Sequence, residues 1–185
     1  RWIAEPLRLL DCCLVSNGAV AVVVTSPERA RDLKQPPVHV LGYAQCSPGD
    51  NLRTDRHPAV ETGAKQSGER AFRMAGITLN DIGTCQLYNC YTYTVLVTLE
   101  DYGFCKKGEG GPFVASGATA RGGTLPVNTH GGFLSEAYVH GLNHVAEAVS
   151  QLRHAAGARQ VPDAELALST AQPGYVAGST AALVL

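Results

Sequence analysis

Asn17-Gly18 is followed by Ala-Val-Ala-Val-Val-Val, six apolar residues of which four are β-branched. Such a run reads as a strand buried on both faces, and a strand of that kind requires helices above and below its sheet. The next residues supply one. Ser26-Pro27-Glu28-Arg29 is a helix start, with proline at the first helical position and an acid just inside. Pro36-Pro37 ends that helix, and Val38 to Gln45 alternates as a second strand. Strand, helix and strand in this order predict an α/β chain with a parallel-type layer.

The same alternation continues. From His57-Pro58, apolar and small residues return at helical spacing through Met74, and Gly76 ends the helix. Leu79 to Gly83 turns into a strand over Cys85 to Tyr88, and a helix follows from about Tyr91 to Tyr102, stopped by Gly103. Residues 108–128 read as a glycine-rich loop with a short strand at Leu125 to Asn128. A helix is expected from about Ala137 to Ala155, its apolar stripe formed by Leu142, Val145, Ala146, Val149 and Leu152. That phase puts His144 and His154 on the exposed side. Two strands close the sequence, Leu166 to Ser169 and Ala181 to Leu185.

Composition narrows the class of function. Fifteen basic residues balance sixteen acidic ones, which leaves no basic stripe for nucleic acid or an anionic membrane. No apolar run approaches the ~20 residues of a membrane span, and the opening residues have no signal-peptide pattern. The first residue is arginine, so the sequence reads as a piece of a longer polypeptide. Six cysteines at positions 12, 13, 46, 85, 90 and 105 form no Cys-x-x-Cys pair, so they read as reduced thiols and not as a zinc site. Reduced thiols fit a cytoplasmic setting.

Chemistry is sought where polar residues meet glycines. There is no Gly-x-Gly-x-x-Gly after a strand, no phosphate loop and no Gly-x-Ser-x-Gly elbow. Glu100-Asp101 reads as a solvated helix end. Two stretches remain. Gln86-Leu87-Tyr88-Asn89-Cys90-Tyr91 lies where a strand enters a helix, the edge at which open α/β sheets bind ligands. Asn128-Thr129-His130-Gly131-Gly132 precedes Ser135-Glu136-Ala137-Tyr138-Val139-His140-Gly141, and glycines before a helix start expose N–H groups to an oxyanion.

These stretches resemble the thiolase superfamily, and the likeness runs over the whole sequence. Ser16-Asn17-Gly18-Ala19 resembles the Ser-Asp-Gly-Ala strand near the end of the thiolase N-terminal domain. His57-Pro58-Ala59 resembles the opening of the C-terminal domain. Tyr88-Asn89-Cys90-Tyr91 stands where thiolases carry Asn-Glu-Ala-Phe, or His-Asp-Cys-Phe in the sterol-carrier branch. Leu99 to Cys105 and Asn128 to Gly132 resemble that branch in particular. The resemblance implies a pair of βαβαβαββ halves, with residues 1–50 ending the first and residues 51–185 forming the second.

Its departures from the family decide the expected activity. Aligned from Gly131-Gly132, the histidine that activates the thiolase nucleophile is replaced by Tyr138, and the oxyanion-hole Asn or His by Tyr88. Ala171-Gln172-Pro173-Gly174 stands where the second thiolase cysteine would be. Thiolase acyl transfer loses its acid/base machinery. Two phenols in place of two polar catalytic groups instead resemble the aldolases of this branch, which cleave β-hydroxyacyl-CoA thioesters in steroid side-chain degradation. The resemblance then implies that Tyr88 and Tyr138 share the acid and base roles, in either order, with His130, Gly131, Gly132 and His140 toward the substrate. It implies no cofactor beyond the CoA of the substrate and no metal. It also implies a homodimer and a small OB-fold, zinc-ribbon partner. The competing readings are a non-catalytic lipid-binding or scaffold protein, which favours hydrophobic fill at 88 and 138, and an acyl-CoA thiolase.

Overall fold

Residues 1–47, 62–172 and 180–185 are described by the computed structural model. A small antiparallel pair, β1 (Trp2–Ala4) and β2 (Leu7–Arg8), stands apart from the main sheet. That sheet has four strands in the order β3-β6-β5-β4: β3 (Gly42–Cys46), β4 (Thr84–Gln86), β5 (Ala167–Ala171) and β6 (Thr180–Val184). Strands β4 and β5 run parallel, with Thr84 opposite Ala167, while β6 is antiparallel to both β5 and β3. The chain is α/β as expected. Its layer is mixed, however, one parallel pairing extended by two antiparallel ones, with β6 alone reversed.

The helices are α1 (Pro27–Ala30), α2 (Ala64–Ala75), α3 (Thr92–Tyr102), α4 (Gly110–Ala115), α5 (Gly132–Ser135) and α6 (Leu142–Leu152). Helix α2 crosses β3 so closely that a Cβ on Gly42 would collide with the Ala71 carbonyl, which is why glycine stands in a strand interior there. The helix ends as its sequence predicts: Gly76 turns left-handed, and Ile77 N–H donates to the Phe72 carbonyl at 3.1 Å. Ala71, Cys85, Leu87, Leu99, Leu168 and Val184 fill the interior between helices and sheet. Each fully buried leucine contributes about 1.5–3 kcal/mol.

Four expectations are corrected. Residues 19–24 form no strand, and Val23 and Val24 are 87% and 83% exposed. A strand exists only where another strand takes its N–H and C=O groups, and no described strand lies beside this run. The alternating segment 38–45 enters the sheet only at Gly42, because its partner β6 ends at Val184. The helix expected over 137–155 is shorter, since His140 and Gly141 both adopt positive φ and interrupt it ahead of α6. Asp101 is buried rather than solvated. It accepts hydrogen bonds from the N–H and Oγ1 of Thr62, both at 2.7 Å, and pairs with Lys107. The proposed 50/51 boundary, His57-Pro58-Ala59, Pro173 and Gly174 lie outside the described residues.

Candidate active site

Strand β4 delivers Tyr88, and hydrogen bonds fix the backbone leading into it. Leu87 N–H donates to Asn128 Oδ1 at 2.7 Å, and Asn128 Nδ2 donates back to the Leu87 carbonyl at 3.0 Å. One side chain thus does what a neighbouring strand would do. Asn128 manages this with φ at +50°, a region that Asn enters more readily than most residues. Tyr88 N–H donates to Thr170 Oγ1 of β5 at 2.9 Å.

The glycine pair places the second tyrosine. Gly132 has φ of +59°, and a Cβ there would collide with the Asn89 amide. That space lets Asn89 Oδ1 accept from Phe133 N–H at 2.9 Å. Phe133, fully buried, meets the Tyr88 ring edge-on with centroids 4.8 Å apart and lies 4.8 Å from Tyr138. The N-terminal segment closes over these residues. Cys13 N–H donates to Cys90 O at 2.9 Å, Leu14 N–H to Phe133 O at 3.0 Å, and Tyr138 N–H to Ser16 Oγ at 3.2 Å.

The result brings the two phenols together. Tyr88 and Tyr138 hydroxyls are 2.5 Å apart, their rings at 78° to each other. Tyr88 is 3% exposed, and burial, reinforced by the Tyr138 hydroxyl beside it, pushes its pKa well above the usual phenol range. Tyr88 therefore holds a proton that Tyr138, only partly buried, can exchange. Burial also raises the Cys90 thiol, so it sits here as a neutral group.

The other expected residues divide. His140 comes to the tyrosines: its ring lies 4.4 Å from that of Tyr138. His130 does not. Its side chain is 4% exposed and pairs with His144, one layer behind Phe133. Gly131 N–H donates to Asn128 O at 2.8 Å and Phe133 N–H to Asn89, so two of the N–H groups at this one-turn helix are already engaged.

His144, expected on the exposed side of its helix, is fully buried. Helix α6 turns its polar stripe inward: Asn143, His144, Glu147 and Gln151 are buried, while Leu142 is 44% exposed. Its glutamate, glutamine and histidine are tolerated because each is hydrogen-bonded. Glu147 Oε1 accepts from Thr129 Oγ1 at 2.7 Å and Gln151 Nε2 at 2.9 Å, and Arg159 completes an ion pair at 3.0 Å. Burial alone would raise the Glu147 carboxyl, but the hydrogen bonds from Arg159, Thr129 and Gln151 outweigh it and lower its pKa. The recurrence of 143, 147 and 151 at helical spacing marks a polar face, yet nothing in that spacing distinguishes water from a buried network. Asn128, Asn89 and Phe133 carry structural weight that the sequence reading did not assign. Among the described residues, no group of three His, Cys, Asp or Glu could hold a metal ion, and no helix is long and apolar enough to cross a membrane.

Residues 45–185 match the thiolase C-terminal domain-like family. The chain belongs to the thiolase family. Over 157 residues it is 50% identical to the 17-hydroxy-3-oxo-4-pregnene-20-carboxyl-CoA lyase of Mycobacterium tuberculosis, a match covering 83% of this chain and 41% of that protein. It is 47% identical over 157 residues to the steroid side-chain-cleaving aldolase of Thermomonospora curvata, again over 83% of this chain and 40% of the relative. A solved structure of an Ltp2-ChsH2(DUF35) aldolase superposes with a TM-score of 0.88 at 42% identity, covering 99% of this chain and 48% of that one. The thiolase-family chain thus spans less than half the length of these relatives, and the thiolase-like fold expected from its motifs is the one it has.

Proposed function

We propose that this thiolase-family chain carries the tyrosine centre of a retro-aldolase that cleaves a β-hydroxyacyl-CoA. The substrate in this reading is 17-hydroxy-3-oxo-4-pregnene-20-carboxyl-CoA, giving a 17-ketosteroid and propionyl-CoA. The hydroxyl pair at 2.5 Å carries the proposal, and the names of the two bacterial relatives support it. A filled, non-catalytic pocket has no need of two phenols sharing a proton in its interior.

The chemistry follows from which phenol holds its proton. Tyr138, the more accessible partner, acts as the base in its ionised form, and the buried Tyr88 donates its hydrogen bond to that phenolate. Tyr138 takes the proton of the substrate's β-hydroxyl. The oxygen becomes a carbonyl, the Cα–Cβ bond breaks, and its electron pair enters the thioester as an enolate. The pair then returns one proton to Cα, so the step is redox-neutral and both tyrosines recover their starting state. His140, packed on the Tyr138 ring, orients it toward the substrate. His130, Gly131 and Gly132 shape the substrate side through Asn89 and Phe133. The reading calls on no cofactor, since CoA arrives with the substrate.

The remainder of the active protein lies beyond these residues in this reading, as a homodimer with a small OB-fold, zinc-ribbon partner in the cytoplasm. The second component named in the solved aldolase supports such a partner. The test is turnover of the 17-hydroxysteroid acyl-CoA by full-length protein co-expressed with its partner, following 17-ketosteroid and propionyl-CoA by chromatography. Cleavage without added CoA is expected, reduced about 10²–10⁴-fold in Tyr88→Phe and in Tyr138→Phe. Undiminished turnover in both folded variants would remove the tyrosines from the chemistry, and no turnover in wild type would favour a binding role.

A further inference from the structure

Behind the tyrosines lies a buried imidazole for which the mechanism above has no use. His144 Nε2 is 2.8 Å from the Leu87 carbonyl, and its Nδ1 is 3.2 Å from His130 Nε2. Its ring stacks flat on Phe133, 4.2 Å between centroids and 11° between planes. A carbonyl oxygen only accepts, so Nε2 carries the hydrogen. Burial, with His130 alongside, lowers the His144 pKa to about 3, so the ring is neutral and its Nδ1 is bare. His130 Nε2 must therefore be the donor, aimed at His144 Nδ1 with Glu136 Oε2 as a second acceptor at 3.4 Å. One backbone carbonyl fixes both tautomers.

A leucine would fill this volume without burying two ring nitrogens, which are costly in an apolar interior unless paired. Imidazole does three things together that leucine cannot. It donates on one edge, accepts on the other, and offers a flat face to an aromatic ring. Each of the three leads toward Tyr88. Leu87 is the residue immediately before it, His130 belongs to the loop whose glycines seat Asn89, and Phe133 packs against its ring.

We propose that His144 is a positioning residue for Tyr88, holding the Leu87 carbonyl and the Phe133 ring in register so that the two hydroxyls meet. The proposal rests on the retro-aldolase reading for its kinetic consequence, though not for its structural one.

Three variants in full-length protein test it. His144→Leu keeps the volume and loses both polar edges. His144→Gln restores a donor at the Nε2 position, and His144→Asn restores an acceptor at the Nδ1 position. With folding checked by circular dichroism, the leucine variant is expected to lose about 100-fold in kcat with KM nearly unchanged, the size of a misplaced catalytic group. Glutamine is expected to recover more of the rate than asparagine, because the Leu87 tether is the edge nearest Tyr88. A folded His144→Leu with wild-type kcat would overturn the proposal. Nitrogen-15 NMR of the wild type gives an independent reading: His144 should show a protonated Nε2 and a bare Nδ1, and the reverse assignment would also overturn it. If the wild type does not cleave the acyl-CoA, the retro-aldolase reading fails. The positioning claim is then read from the downfield hydroxyl resonance of the Tyr88–Tyr138 pair, which should survive in His144→Gln and vanish in His144→Leu. Should the leucine variant not fold, the same resonance in the glutamine and asparagine variants decides.

Discussion

Mild acid should destabilise this protein through His144 before its carboxylates respond. In the unfolded chain an imidazole titrates near 6.5, whereas in the folded protein His144 titrates at about 3. A histidine with a depressed folded pKa leaves the unfolded state binding more protons in the interval between the two values. The stability it contributes is therefore complete about one pH unit above 6.5 and is lost as pH falls through 6.5 toward 3. The limiting slope is about 1.4 kcal/mol per pH unit, and between pH 7.5 and 5 the loss from this one side chain is about 2 kcal/mol. His130, lowered by burial against the opposing charges of Glu136 and Glu147, adds in the same direction. Glu147, Asp11 and Asp81, all held below the ordinary carboxylate range, stay ionised through this window. Urea unfolding of full-length protein at pH 7.5, 6.5, 5.5 and 5.0, at one fixed concentration, measures the effect as a falling midpoint. Comparison with His144→Gln isolates it, because glutamine cannot titrate. The wild-type slope should exceed that of the variant by close to one proton, a midpoint difference on the order of 1 M urea across the window. Identical slopes would mean that His144 is not buried neutral, and the tautomer chain through His130 would fall with it.

Two further substitutions probe the scaffold around Tyr88. Gly132→Ala introduces a Cβ into the Asn89 amide at a backbone angle that disfavours any side chain, so thermal unfolding should show a loss of at least about 1–2 kcal/mol. Turnover should fall with it, and an unchanged melting temperature would mean that Asn89 moves aside without loss. Asn128→Ala removes both hydrogen bonds to Leu87 and leaves a buried N–H without its acceptor, for about 2–3 kcal/mol in chemical denaturation. Asn128→Asp keeps the acceptor for Leu87 N–H and should recover part of that loss.

What could be read from the residues depended on whether a local rule acted alone. Helices α2 and α3 end at Gly76 and Gly103, where left-handed glycine stops a helix whatever surrounds it. The tyrosine pair was legible because two phenols replace two polar catalytic residues at motif positions. Residues 19–24 misled because β-branched side chains make a strand possible, whereas a paired neighbour makes it actual. Helix α6 misled for a different reason. Binary patterning assigns polar residues to water, and here Glu147, Gln151, Thr129 and Arg159 satisfy one another inside the protein. That network depends on residues from Thr129 to Arg159 meeting in space, and no window of sequence contains the test of whether they do.

Ser16 holds Tyr138 across 122 positions of the chain, and Cys13 and Leu14 hold Cys90 and Phe133 beside it. The phenol pair thus leans on residues 13–16, a strip outside every described helix and strand. Detachment of the opening strip, by a protease or a transient opening, would separate the hydroxyls while the sheet remained intact. In the proposed retro-aldolase, turnover would then vanish ahead of the circular dichroism signal, which makes the phenol pair a finer gauge of folding than any measure of secondary structure.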